Sequence, residues 1–291
     1  MKLQSITEFT HTYGTGTNID SDQRNQVSEA LIFTHFPTSK FRYNIKIRKD
    51  FNSKYEIPFV YALGAEYKFS EIYSMMINGS KNFRTPTFND LYWTGLGNPE
   101  LNPETSYQVN FGHQVSYQDV VLNLSGFVIS TEDLIKWQPQ PSGVWQPVNV
   151  NEVNNYGIEV DLSYAKQFAN YLLKLNSNYT YTKAIDSETD LQVIYVPEHL
   201  FHSNLSLVYK KWQFFYQFLY NGKVYITTDN ENDLDAFDVS NAGVQYQVFN
   251  TSNNELAIGL KVNNLYNEIY QNVTSRPMPN RNINLNINYN F

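Results

Sequence analysis

The sequence predicts an all-β protein, an antiparallel transmembrane β-barrel of about 14 strands. Three observations lead there. The chain ends on a segment of strict period two, the same alternation recurs along its length, and the connections between these segments alternate between short and long.

The last segment is the clearest. Ile283, Leu285, Ile287, Tyr289 and Phe291 alternate with Asn282, Asn284, Asn286, Asn288 and Asn290. Successive side chains of a strand point to opposite faces, so one face is apolar and the other carries only amides. Upstream, Phe41, Tyr43, Ile45 and Ile47 alternate with Arg42, Asn44, Lys46 and Arg48. Similar stripes start at Phe59, Tyr107, Tyr156, Tyr171, Trp212 and Leu256. Strands are expected near 3–13, 25–37, 40–50, 57–68, 70–82, 105–117, 119–137, 144–165, 169–182, 199–210, 211–226, 235–248, 254–265 and 280–291. Each supplies about ten membrane residues; at about 3.3 Å per residue and a tilt near 40°, ten residues climb roughly 25 Å, the height of the apolar band.

Short connections are expected at 37–40, 69–70, 118–119, 166–170, 210–211 and 249–253, and long ones near 14–24, 51–56, 83–104, 138–143, 183–198 and 227–234. Outer-membrane barrels have short periplasmic turns and longer extracellular loops. The alternation therefore puts the C-terminus on the periplasmic side. Tyr67, Phe69, Tyr117, Tyr164, Tyr171, Tyr209, Trp212, Tyr246, Tyr289 and Phe291 then gather at periplasmic strand ends, as an interfacial girdle should. The rival reading makes them the core of a soluble all-β protein.

Composition agrees. The 291 residues include 23 tyrosines and 19 phenylalanines, only 17% are charged, and there is no cysteine. Mean hydropathy is −0.46. A membrane helix needs about 20 consecutive apolar residues, and the sequence has no such run. A barrel hides its apolar residues by alternation and reads as hydrophilic. Disulfides and thiolate metal sites are excluded. The net charge of −7 argues against a nucleic-acid partner. The opening MKLQSITEFT lacks the apolar stretch of a secretory signal. Either further N-terminal sequence is expected or the exported reading fails.

The longest connection carries a recognisable pattern. Phe83, Arg84 and Pro86 lead to Leu91 and Tyr92, then to Gly97, Asn98, Pro99, Leu101, Pro103 and Glu104. Asp133-Leu134-Ile135 and Asn155-Tyr156-Gly157-Ile158-Glu159 follow in order. Near the end come Asn264, Leu265, Tyr266 and Tyr270, then Arg276-Pro277-Met278-Pro279-Asn280-Arg281 before the final strand. This ordered set resembles the barrel of TonB-dependent outer-membrane receptors over essentially the whole chain; Asn280 stands where that family usually has glycine.

The resemblance implies the C-terminal portion, residues 1–291, of a 22-stranded barrel. The plug, the Ton box and the first strands would be absent, supplied if at all by another chain. It implies TonB-energised uptake of a small scarce ligand of the ferric siderophore, haem or cobalamin class. Expected partners are outer-membrane lipid and lipopolysaccharide. The barrel-assembly machinery would read Ile287, Tyr289 and Phe291 as an insertion signal.

Read physically, Pro86, Pro99 and Pro103 remove donors and fix φ, so 83–104 is not ordinary strand. The motif either shapes this loop or touches ligand, with Arg84, Tyr92, Trp93, Trp137 and Trp145 as candidate contacts. Arg42, Lys46 and Arg48 share one lumen-directed face that either draws anions or is simply solvated. The run from Asp229 to Asp235 has oxygen ligands but lacks the glycine and terminal glutamate of a calcium loop. His11, His35, His113, His199 and His202 are scattered. No catalytic residue, metal site or cofactor is assigned, and the protein is not expected to be an enzyme. A free-standing passive 14-stranded porin and a surface-binding adhesive barrel remain as alternatives. A free edge cannot face lipid, so a partial barrel would need its missing strands.

Overall fold

The computed structural model describes residues 1–251 and 254–291. Its long strands are β1 (Lys2–Gly16), β2 (Ile19–His35), β3 (Phe41–Asn52), β4 (Val60–Lys68), β5 (Tyr73–Arg84), β6 (Glu104–Tyr117) and β7 (Val120–Pro139). They continue as β8 (Trp145–Phe168), β9 (Tyr171–Asp186), β10 (His199–Tyr209), β11 (Trp212–Asn221), β12 (Phe237–Asn250), β13 (Glu255–Asn263) and β14 (Asn282–Asn290). One short helix, α1 (Phe88–Tyr92), interrupts them. Strand neighbours follow chain order from β1 to β14, with no crossover. Each β-segment expected from the alternation is present, with its ends moved by a few residues.

Two compact units divide the chain. The first comprises Met1–His113, Gly126–Gly157 and Lys183–Val193; the second comprises Gln114–Ser125, Ile158–Thr182 and Ile194–Phe291. In the first, β1 to β5 pair antiparallel, with one register shift in β1 between Gly14 and Gly16; Ser5 stands opposite Leu31, Ile47 opposite Tyr61, and Ala65 opposite Ile77. In the second, Leu205 stands opposite both Leu175 and Tyr216, and Leu260 opposite both Val244 and Leu285. Apolar stripes thereby merge into an apolar face in each unit.

Those faces are exposed. Leu63 keeps 52% of its surface, Val109 54% and Leu285 67%. The buried apolar residues of the first unit instead sit in or beside the long connections: Ile57, Leu91, Leu101, Ile135, Val150, Val153, Ala184 and Val193. A soluble protein buries its strand-centre leucines and isoleucines. Apolar strand bodies left open are what a bilayer covers.

Strand ends depart from expectation where strands run past the apolar band. The long connection expected at 14–24 is two residues, Thr17 and Asn18, because β1 and β2 continue as a ladder to Gly16 and Ile19. Leu191–Gln192 pairs back on β9 inside the connection expected at 183–198; the strand expected at 211–226 ends at Asn221, and Val224–Tyr225 pairs instead with Asp233–Leu234 of the connection expected at 227–234. Side chains join the backbone pairing here, Gln192 Oε1 accepting from Ala184 N at 3.1 Å and Val224 being buried, but the paired segments are two residues long, too short for an alternation to show in the sequence. Ser252 and Asn253, within the connection expected at 249–253, lie outside the described residues.

Strand β1 pairs with β2 on one side and is exposed along nearly its whole length; β14 pairs with β13 and is exposed throughout.

Candidate functional site

Residues 83–104 form one braced loop in the first unit. Thr87 caps α1: its Oγ1 accepts from Asp90 N at 3.2 Å, and Asp90 Oδ2 accepts from Thr87 N at 3.0 Å. This reciprocal pair satisfies donors that a helix start leaves free. The chain then turns sharply. A Cβ on Gly97 would lie 2.6 Å from Leu91 O and Trp93 N, so only glycine fits there.

Three braces hold the loop. Arg84 Nε donates to Glu104 Oε2 at 2.7 Å while Arg84 Nη2 bonds Glu104 Oε1. The same Oε1 accepts from Ile135 N at 2.6 Å, and Arg84 Nη2 donates to Ile135 O at 3.0 Å. The motif's arginine and glutamate thus clamp the ends of β5 and β6 onto β7. Asp90 Oδ1 accepts from Trp137 Nε1 at 2.9 Å, a second tie to β7. Towards β8, Asn98 Nδ2 donates to Pro147 O, and Asn149 bonds Asn102 N, Asn102 O and Asp133 O. Towards β2, Arg24 Nη1 donates to Pro86 O at 2.9 Å and its guanidinium lies 5.1 Å from the Phe88 ring centre. Leu91, Leu101 and Ile135 form the core between these braces, with Tyr55 and Tyr92 packed against it.

Four of the five candidate ligand contacts, Arg84, Tyr92, Trp93 and Trp137, lie in this loop or against it. Arg84 is paired with Glu104, Trp137 donates to Asp90, and Trp93 meets Trp137 edge-on at 6.0 Å. Trp145 keeps 39% of its surface exposed. The Tyr92 hydroxyl faces the Asp22 carboxylate, which also bridges Lys54 at 3.0 Å. Burial and the Asp22 carboxylate push the Tyr92 hydroxyl up from 10.0 to about 12. Because the folded value is the higher one, the stabilisation is complete below the ordinary value of 10.0 and disappears as pH rises through about 12. Tryptophan fluorescence from the Trp93–Trp137 pair should therefore change across that window. In Tyr92→Phe, which has nothing to ionise, that change should be missing; coincident curves for the two proteins would remove Tyr92 from this role.

Asp22, Arg24 and Asp90 were not legible as site residues. The Thr87-x-x-Asp90 spacing was a local signal for the cap. Asp22 and Arg24 reach the loop from 60 or more positions away, with no local signal. Of the basic face, Arg42 pairs with Glu66 and Arg48 with Asp50, so two of its three cations are already neutralised.

The second motif builds a turn in the second unit. Asn264 is 3% exposed and has φ +50°. Its N donates to Asn241 Oδ1 at 2.9 Å; its own carboxamide donates to Glu268 O and accepts from Glu268 N, both at 2.8 Å. Leu265 N donates to Ser240 O at 2.7 Å, and Asn267 Oδ1 accepts from Arg281 N at 2.9 Å. The Tyr270 ring packs on Phe237 at 4.5 Å, while Tyr266 is 67% exposed. Asn264→Ala loses two buried bonds and forces alanine to positive φ, about 3 kcal/mol in all. Hydrogen exchange at Glu268 and Arg281 should accelerate accordingly, with little change in β1–β5. At the C-terminus Ile287 and Tyr289 lie on the exposed apolar face of β14, and the Phe291 ring lies 5.8 Å from the Tyr289 ring.

Residues 8–265 match the family described as TonB dependent receptor-like, beta-barrel. The chain belongs to the TonB-dependent receptor family. Among curated relatives, the vitamin B12 transporter BtuB of Photobacterium profundum is 29% identical over 260 residues, 88% of this chain and 41% of that protein. BtuB of Vibrio vulnificus (strain YJ016) is 31% identical over 146 residues, 50% of this chain and 24% of that one. Among solved structures, the copper transporter OprC superposes with TM-score 0.75 at 16% identity, covering 93% of this chain and 48% of that one. The siderophore receptor PirA from Acinetobacter baumannii gives 0.70 at 16% identity, covering 94% and 46%. These two likenesses establish the fold: a partial antiparallel TonB-dependent receptor barrel. This receptor chain spans less than half the length of the relatives it matches.

Proposed function

We propose that this chain is the C-terminal portion of an outer-membrane barrel in TonB-energised nutrient uptake, and that its ligand is of the cobalamin class rather than a ferric siderophore or haem. One observation carries the ligand class: the curated relatives matched over most of the chain are named vitamin B12 transporters. The plug and first strands come from another polypeptide segment that pairs with the free edges of β1 and β14, since lipid cannot satisfy them. The exposed apolar faces meet outer-membrane lipid and lipopolysaccharide, and the C-terminus lies on the periplasmic side. The braced loop at 83–104 sits at the outer end. With Arg84, Tyr92 and Trp137 committed through their polar atoms, ligand contact there falls to the ring faces of Trp93, Trp137 and Trp145. No catalytic step is assigned.

The test is uptake of labelled cyanocobalamin by cells lacking their own cobalamin receptor, given this chain together with the coding sequence upstream of Met1. Uptake that depends on the energising protein supports the proposal. Uptake of a ferric chelate instead moves the ligand class. Steady ion conductance by the chain alone, without energised uptake, replaces the proposal with a passive pore.

A further inference from the structure

The exposed face of β3–β6, in the first unit, carries two lysines near the outer strand ends. Register puts them there. Ile47 stands opposite Tyr61 and Tyr61 opposite Lys81, so Lys81 shares the face of Ile45, Ile47 and Leu63. Lys49 lies two residues beyond Ile47 on that same face.

Both sit at a similar depth. At the inner end Phe41 faces Tyr67, and Tyr73 stacks on Phe69. Lys49 is eight residues beyond Phe41, and Lys81 eight beyond Tyr73. Eight residues at about 3.3 Å and a tilt near 40° climb roughly 20 Å, close to the top of an apolar band of about 25 Å. A lysine on the lipid face is costly at the midplane and tolerated near the interface. Its stem runs along apolar surface and its ammonium reaches the headgroups.

These ammonium groups lack anions. Lys49 Nζ donates to Ile57 O and lies 5.9 Å from the Phe51 ring centre, and Lys81 Nζ lies 5.2 Å from the Tyr107 ring centre. Neither pairs with a carboxylate among the described residues. Register puts Glu29 opposite Lys49, yet that carboxylate turns the other way: Ser5 Oγ and Thr7 Oγ1 donate to its two oxygens. Each ammonium has three donors, so most of them face the headgroup layer unmet.

The spacing and the surroundings select one lipid. Two strands and two residues separate the lysines, about 12 Å along the sheet. The exposed rings of Phe51, Phe59, Tyr61 and Tyr107 frame them. A glycerophospholipid headgroup brings a single phosphate to such a pair. A lipopolysaccharide headgroup is a disaccharide with a phosphate at each end, and the rings give its sugars a face to pack on. We infer that Lys49 and Lys81 seat the two phosphates of one lipopolysaccharide molecule. The inference rests on the outward orientation proposed above and turns a general lipid contact into a specific site.

The experiment uses this chain expressed with the coding sequence upstream of Met1. Lipopolysaccharide retained per receptor after detergent extraction is measured for the wild type, for Lys49→Gln with Lys81→Gln, and for Lys49→Arg with Lys81→Arg. The glutamine pair should retain at least tenfold less at unchanged heat-modifiable migration, and the arginine pair as much as the wild type. Should the glutamine pair fail to assemble, the wild type still decides. Diphosphoryl lipid A added to phosphatidylcholine vesicles should raise its unfolding temperature, monophosphoryl lipid A less, and phosphatidylglycerol not at all. An equal effect of phosphatidylglycerol shows diffuse attraction of anions and overturns the inference. So does loss from the glutamine pair of a co-purifying polypeptide instead of lipopolysaccharide. Sidedness is read separately. The chain has no cysteine, so Ser142→Cys in the connection after β7 should react with an impermeant maleimide on intact cells. Labelling there, with equal retention by the wild type and the assembled glutamine pair, overturns the site and leaves the orientation standing. Labelling only after the outer membrane is opened overturns both.

Discussion

Replacing Glu104 by alanine should release the braced loop from β7. The change removes both carboxylate bonds to Arg84 and strips the acceptor from Ile135 N. Breaking a buried pair costs about 3–5 kcal/mol, and a buried donor without a partner about 1–3 kcal/mol. The Arg84 side chain is 47% exposed, so water recovers part of its loss and the lower end applies, about 3 kcal/mol. Exchange at the Ile135 amide should accelerate by about a hundredfold or more, since each 1.4 kcal/mol is tenfold. Glu104→Gln keeps one acceptor and should lose much less. Unchanged protection at Ile135 in the alanine variant would show that the clamp is incidental. If the loop positions ligand contacts, uptake should fall in the same variants and in the same order.

Removing Phe291 should cut assembly and spare stability. The residue is 95% exposed, with its ring 5.8 Å from that of Tyr289, so the folded barrel loses almost nothing without it. As the end of an insertion signal it would act before folding is complete. Loss of an aromatic anchor from a recognition contact costs about 2 kcal/mol or more, over tenfold in binding. Folded protein in the outer membrane should fall by a comparable factor, while the thermal unfolding of the barrels that do assemble stays where it was. Normal assembly would remove Phe291 from the signal. A lowered unfolding temperature would make it a structural residue instead.

These two predictions differ in what they draw on. Phe291 and the stripe before it are legible because lipid imposes a local rule: each strand must turn alternate residues outward, and the alternation is written residue by residue. The same rule made β3, β8, β11 and β14 readable from their own segments. The motifs at 83–104 and 264–281 were legible as patterns, with proline, glycine and asparagine marking where strand could not continue.

What those patterns hold was decided by the tertiary structure. Arg84 finds its carboxylate 20 residues on and its carbonyl 51 residues on, and Pro86 is held by Arg24 from 62 residues back. No local rule encodes such pairings. The β1–β2 hairpin outgrew its expected length because backbone hydrogen bonds, indifferent to side chain, extend a ladder wherever two strands already run together. A carboxamide row had the same origin: Asn176, Asn204, Gln217 and Asn241 are ordinary in their own strands and come into one row through register. By itself the sequence determined which segments are strands and which face of each is apolar, because alternation is local. Which residues meet was left to the pairing of distant strands, because a contact belongs to the sheet and to neither strand alone.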